Sequence, residues 1–233
     1  MIDAEKVKSF WQTRSEKLGK LPFESIANLE EKVELLELKL KLEQERIMPL
    51  LPLMPDKTIL DMGAGVGQWT FRFAPFVNQV VAVEYMDSLA EIGRAEAINR
   101  QVNNVTFITN SAETFQTTQQ FDIVFISGLF VYLNPDQAQK LMKNLSQFIK
   151  PDGLVLVRDG TSVLKEAHHI NNRYSTILNE QYSAYYRTRD QYISLFEKSG
   201  FTLSQDGQMF DEGCLLNKFS ETRLWFYLFH SKA

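Results

Sequence analysis

Cysteine is nearly missing from this chain of 233 residues, with Cys214 the only one. A single thiol can form neither an intrachain disulfide nor a cysteine-based zinc cluster, and such usage fits a reducing compartment. A basic excess is missing as well. The 25 Lys and Arg face 29 Asp and Glu, a formal charge of −4, so the positive face that neutralises nucleic-acid phosphates is not expected. No apolar run approaches the ~20 residues that span a bilayer. The first residues are charged and polar, unlike the apolar core of a secretory leader. These absences set the expectation of a soluble, cytoplasmic protein without nucleic-acid or membrane partners. His168 and His169 are adjacent, not one helical turn apart, so one helix face would not offer both to a metal, and no metal site is expected.

What is present divides the chain in three. Apolar residues make up 44% of it, enough for a real core. Residues 1–54 read as a helical extension. Within residues 29–48, Leu29, Val33, Leu36, Leu40 and Ile47 recur at a helical period among Glu and Lys, and Pro49, Pro52 and Pro55 stop the pattern. Residues 57–158 alternate strand-like runs (58–62, 79–84, 105–109, 121–127, 154–158) with helical stretches, notably 87–101 and 135–149. Alternation of this kind predicts parallel strands joined by right-handed crossovers, a doubly wound α/β sheet. After residue 159 the rhythm breaks. A polar, aromatic stretch at 161–187 precedes a helix signal at 189–199 and two strand-like runs near 201–209 and 223–230, read as a closing hairpin. The division expected is an extension at 1–54 and a domain at 55–233, with 160–190 as an insertion capping the substrate.

The densest chemistry is the run Ile59-Leu60-Asp61-Met62-Gly63-Ala64-Gly65-Val66-Gly67. An apolar strand enters three glycines at alternate positions, and a helix follows. Glycine permits positive φ and lets a ligand approach the backbone. In an open α/β sheet ligands bind beyond the carboxyl ends of the strands. Glu84 ends the next apolar strand, where a carboxylate can accept hydrogen bonds from both hydroxyls of an adenosine ribose. Gln68 occupies the place where a nicotinamide-binding turn would have glycine, which disfavours an oxidoreductase.

On the Asp-x-Gly-x-Gly-x-Gly turn, Glu84 and the strand Phe121-Asp122-Ile123-Val124, the chain resembles the class I S-adenosylmethionine-dependent methyltransferases, from about Thr58 onward. The resemblance implies a seven-stranded Rossmann-like sheet whose last strand is antiparallel, with S-adenosylmethionine as cofactor. It places Asp61 and Gly63 beside the methionine end, Ala64, Gly65 and Gly67 along the cofactor, Glu84 at the ribose, and Tyr85 and Met86 near the adenine. Ser111, Ala112 and Glu113 would lie at the adenine edge, with Ser111 where many relatives carry Asp. Ser127 would lie at the tip of strand four. After Pro151-Asp152-Gly153 the family's usual second glycine is replaced by Leu154.

A sulfonium methyl is already activated, so the enzyme must align a nucleophile at ~3 Å and exclude water, and needs a base only where the nucleophile carries a proton. Phe130-Val131-Tyr132-Leu133 and Arg158-Asp159 are similar to stretches of the N-terminal α-amino methyltransferases. That likeness implies Asp159 as base or orienting group and Tyr132 as a catalytic contact, although that subfamily has histidine where Tyr132 stands. Tyrosines crowd 174–192, offering apolar area with polar tips. Tyr182, Tyr186 and Arg187, with Trp11 and Arg14 of the extension, are the expected substrate contacts. The anticipated reaction is methyl transfer to an N or O atom of a small molecule. The alternatives are a protein or peptide acceptor, or a non-catalytic partner subunit.

Overall fold

The computed structural model describes residues 1–30, 32–175, 178 and 180–231. Three helices, α1 (Ala4–Ser15), α2 (Phe23–Asn28) and α3 (Val33–Ile47), precede the sheet. The helix expected over 29–48 starts later, because Leu29 takes a left-handed conformation (φ 55°) that ends α2 and turns the chain. A 3-10 turn, Met48–Leu50, follows α3 and contains Pro49.

The alternating region runs β1 (Thr58–Met62), α4 (Gln68–Phe73), β2 (Gln79–Glu84), α5 (Asp87–Asn99), β3 (Val105–Thr109), β4 (Phe121–Ser127), α6 (Pro135–Phe148) and β5 (Ile149–Ser162). The strands β3-β2-β1-β4-β5 are parallel neighbours in that order. α6 starts where the sequence signals it, with Pro135 in its first turn and a capping box between Asn134 and Gln137. Pro151-Asp152-Gly153, read as a turn before the fifth strand, lies inside β5. Asp152 has φ 61° and the register against β4 shifts there, so the turn signal marks a bulge.

The last third holds β6 (His168–Ser175), β7 (Glu180–Thr188), α7 (Arg189–Glu197), β8 (Phe201–Gln208) and β9 (Thr222–Ser231). β9 runs antiparallel to β5 on the side away from β4 and pairs with β8, the closing hairpin expected from sequence. Within 160–190 the strands β6 and β7 pair antiparallel, and β7 joins the tip of β5 through Thr161 and Ser162. That stretch carries no strand signal in the sequence, because its polar residues alternate too weakly to show a buried face.

The sheet is buried on both faces, as a doubly wound sheet must be. Leu60, Met62, Val155 and Val157 face α6 and α7, with Leu145, Phe148, Tyr192 and Phe196. Ile59, Phe125, Leu154 and Leu156 face α3 and α4, with Ile47, Trp69 and Phe73. Strand alternation therefore sends neighbouring side chains at each strand tip to opposite sides, and this fixes the site.

Candidate active site

The glycine turn caps β1. Gly63, Gly65 and Gly67 have φ of 76°, 58° and 88°, values that a side chain would strain. The amides of Gly63 and Ala64 both donate to the Val83 carbonyl, at 2.8 and 3.0 Å, which ties the turn to β2. Gly67 has a second reason to lack a side chain, because a Cβ there would stand 2.4 Å from Cζ of Phe107.

Glu84, at the end of β2, is buried. Its Oε2 accepts from the Gly65 amide and its Oε1 from the Met86 amide, each at 2.8 Å. Burial pushes its pKa up, and those amides partly offset the shift. A carboxylate has about four acceptor positions, so about two remain for hydroxyls. Asp61, on β1, accepts from the Thr70 hydroxyl at 2.6 Å. Burial, with the Glu84 charge adding to it, raises its pKa to about 7. A turn of three left-handed glycines and an acid with spare acceptor capacity fit an adenosine-bearing cofactor.

The other expected cofactor residues are placed less uniformly. Met86 is buried with Ile26, Val66 and Leu89. Tyr85 is 51% exposed, with the Lys8 ammonium 5.9 Å from its ring centre, so it lies at the surface. The Ser111 hydroxyl bonds to that of Thr114 at 2.5 Å, Ala112 is in the core, and Glu113 accepts from Gln137 at 3.1 Å. Ser127 accepts from Arg158 at 3.0 Å.

Asp159 is fully buried on the α6 and α7 side of β5. Its two oxygens accept from the amides of Phe130 and Gly160, each at 2.7 Å. Burial raises its pKa to about 6, against the pull of those amides and of Arg187 and Arg158. Next to it the hydroxyls of Tyr132, Tyr182 and Tyr186 form a chain, with steps of 3.2 and 3.3 Å. All three rings are half-buried, and burial holds all three phenols neutral by raising their pKa values. Gly160 admits the cluster, since a Cβ there would lie 2.6 Å from the Tyr186 ring.

α1 covers this cluster. The Trp11 ring meets Tyr132 edge-on at 5.4 Å, and Phe10 meets Tyr182 at 5.5 Å. The helix is pinned at its start by reciprocal bonds between the Ile2 backbone and the Asn134 side chain, both 2.9 Å. Arg14, fully buried, donates to the carbonyls of Ser25 and Ile26 and so locks α1 to α2. Arg187 donates to the carbonyls of Phe130 and Leu133, at 2.6 and 2.8 Å, and braces the turn that carries Tyr132. Both arginines were expected at the substrate; the structure employs both to hold main chain.

An ion network on the opposite face of the sheet has no signal in the sequence. Arg158 reaches from the tip of β5 to Glu43 of α3, which also takes Lys39 at 2.6 Å. The acid belonged to a helix read only as an amphipathic stripe, and nothing local announces its partner 115 residues away. Burial lowers Lys39 to about 8, against the pull of Glu43. Glu43 itself is held low, the two cations outweighing its own burial. Among the described residues no group of three or more His, Cys, Asp or Glu could hold a metal ion, and no helix is long and apolar enough to cross a membrane.

Comparison with known proteins agrees with this geometry. Residues 59–153 match the model of a methyltransferase domain. Phosphoethanolamine N-methyltransferase 1 of Triticum aestivum is 30% identical over 162 residues, covering 68% of this chain and 31% of that protein. The chain thus spans about a third of the length of the curated relatives it matches. Among solved structures, phosphoethanolamine N-methyltransferase 1 of Haemonchus contortus, in complex with phosphoethanolamine and S-adenosylhomocysteine, superposes with a TM-score of 0.74 at 19% identity, over 99% of this chain and 49% of that one. The N-methyltransferase NodS of Bradyrhizobium japonicum, with S-adenosylhomocysteine, gives 0.63 at 14% identity over 96% of this chain and 99% of its own. The fold is shared with these proteins.

Proposed function

We propose, from the premise that this chain carries a class I methyltransferase domain, that it moves the methyl group of S-adenosylmethionine to the nitrogen of a small-molecule amine. The observation that carries the reading is the buried carboxylate of Asp159 beside three neutral tyrosine hydroxyls, across the strand tips from the glycine turn and Glu84. An ammonium group finds there a counter-charge and hydroxyl acceptors, and an uncharged phenol or alcohol would gain nothing from the counter-charge. N-methyltransferases among the similar proteins support the same choice.

The bound cofactor supplies a methyl carbon already activated by its sulfonium. Glu84 would hold the ribose and the glycine turn would admit the cofactor against the backbone. Asp159, ionised above pH about 6, would take the proton that the acceptor ammonium must lose to expose its lone pair. That pair forms the new C–N bond, and the electrons of the broken C–S bond stay on sulfur as S-adenosylhomocysteine. Tyr132, Tyr182 and Tyr186 would orient the amine, and Trp11 and Phe10 would close over it and exclude water.

The test is calorimetry with S-adenosylmethionine, S-adenosylhomocysteine and NAD, followed by mass spectrometry of reactions with ethanolamine, phosphoethanolamine, aromatic amines, phenols and a peptide with a free N-terminus. Cofactor binding with N-methylation of a small amine is the expected result. Binding of NAD alone would overturn the cofactor assignment. Methylation confined to phenols, or to the peptide, would overturn the acceptor assignment.

A further inference from the structure

Two helices cover the two halves of the site. α2 stands on the glycine turn. Its Ile26 packs with Val66 of the turn and with Met86 and Leu89, and its Ala27 Cβ lies 3.2 Å from where a Gly65 Cβ would stand. α1 stands on the acceptor cluster, with Trp11 edge-on to Tyr132, Phe10 edge-on to Tyr182, and those two rings of α1 5.2 Å from each other. A helix as short as the six residues of α2 does not hold its shape alone, so α2 keeps its place through packing. It packs on the turn and, through Phe23, on the ring of Phe71 and the guanidinium of Arg100.

Arg14 joins the two helices. A buried charge is costly without partners, and Arg14 is fully buried. Its Nη2 donates to the Ser25 carbonyl at 2.5 Å and its Nε to the Ile26 carbonyl at 3.3 Å. Both carbonyls lie among the last four of α2, which a helix leaves without partners of its own. The guanidinium thus caps α2 from the last turn of α1. Arg14 follows Phe10 and Trp11 by four and three residues, so all three share one face of α1. Its charge also reaches the Tyr132 phenol, which puts it between the cover of the turn and the cover of the acceptor.

We infer that Arg14 is a positioning residue that couples the two halves, so that a cofactor on the glycine turn fixes the aromatic cover of the acceptor. A ligand shifts a conformational equilibrium only through the state it contacts better. A cofactor laid along Gly63–Gly67 borders α2 and steadies Val66 and Met86, on which Ile26 packs. Arg14 passes that restraint to the end of α1 that carries Phe10 and Trp11. The start of α1 is held independently, by the Ile2 and Asn134 bonds, so the coupled part is residues 10–15. The inference rests on the cofactor reading above and adds to it that the cofactor, before any acceptor arrives, completes the acceptor's wall.

The test is amide hydrogen exchange of the full chain, read by mass spectrometry with and without saturating S-adenosylhomocysteine, whose binding calorimetry checks separately. In wild type the ligand should slow exchange about fivefold or more both in α2 and in residues 10–15 of α1, the low end of ordinary coupling between sites. In Arg14→Met the slowing should persist in α2 and fall below about twofold in α1. Arg14→Lys keeps the charge but cannot span both carbonyls; its α1 response should fall between the two, and it serves if Arg14→Met does not fold. A purely structural Arg14 would speed exchange equally with and without ligand and leave the ratio unchanged. That result, or a wild type that binds the ligand while α1 does not respond, would overturn the inference. A wild type that does not bind S-adenosylhomocysteine would instead overturn the cofactor reading.

Discussion

Replacing Glu84 by alanine separates two roles the structure gives that side chain. Its oxygens already accept two amides, from Gly65 and Met86, at 2.8 Å each. Removing them leaves two buried N–H groups unpaired, at about 1–3 kcal/mol apiece in folding stability. The same change removes the acceptor positions assigned to the ribose. Hydrogen bonds to a charged group are worth about 1.5–3 kcal/mol each, but water solvates the free ribose in compensation. The expected loss of affinity is therefore at least tenfold, about 1.4 kcal/mol. Calorimetry well below the melting temperature reads that loss, with circular dichroism to establish that the variant is folded. A ligand contrast then divides the roles. Wild type should bind S-adenosylhomocysteine more tightly than its analogue lacking the ribose 2′-hydroxyl, and Glu84→Ala should bind the two alike. A folded variant with unchanged affinity would refute the ribose assignment. One that weakens both ligands while keeping the contrast would show that Glu84 only holds the turn.

Further outcomes follow from the acceptor side. Asp159→Asn should lower kcat more than cofactor affinity, and should remove an acid limb centred near pH 6, the value to which burial raises this carboxyl; steady-state pH profiles check both. The sign for stability is the reverse of that for activity. Folding raises this pKa from 3.8, so the contribution of Asp159 to stability is full below pH about 4 and is lost as pH rises through about 6, a slope that urea titrations should find missing in Asp159→Asn. Tyr132→Phe removes the hydroxyl bonded to Tyr182 and should raise the KM for the amine while leaving S-adenosylmethionine affinity within about twofold. Arg187→Met removes the guanidinium bonds to the carbonyls of Phe130 and Leu133, leaving Phe130 only the Leu133 amide, and should cost about 1–3 kcal/mol in urea unfolding; a loss under about 0.5 kcal/mol would contradict its bracing role.

Much of the fold was legible because local rules and tertiary demands agree. The strands β1 to β4 lie where apolar β-branched runs place them, since a parallel sheet buried on both faces leaves an uninterrupted apolar signature. The glycine turn was legible because three alternate glycines between an apolar strand and a helix favour positive φ, which the structure has at all three, and Glu84 because it directly ends the second apolar run. Residues 160–190 were not legible as a hairpin, because β6 faces solvent along most of its length and so carries no burial pattern.

The sequence by itself determined the succession of strands and helices along the chain, the glycine turn and the acid beyond it, since these depend on residues close together in the chain. Only the tertiary structure decided what Arg14, Arg187, Arg158 and Glu43 do. A cation's role depends on which carbonyl or carboxylate lies within hydrogen-bond reach. For Arg187 that partner is 57 residues away and for Arg158 it is 115, distances over which spacing in the chain says nothing about spacing in the fold.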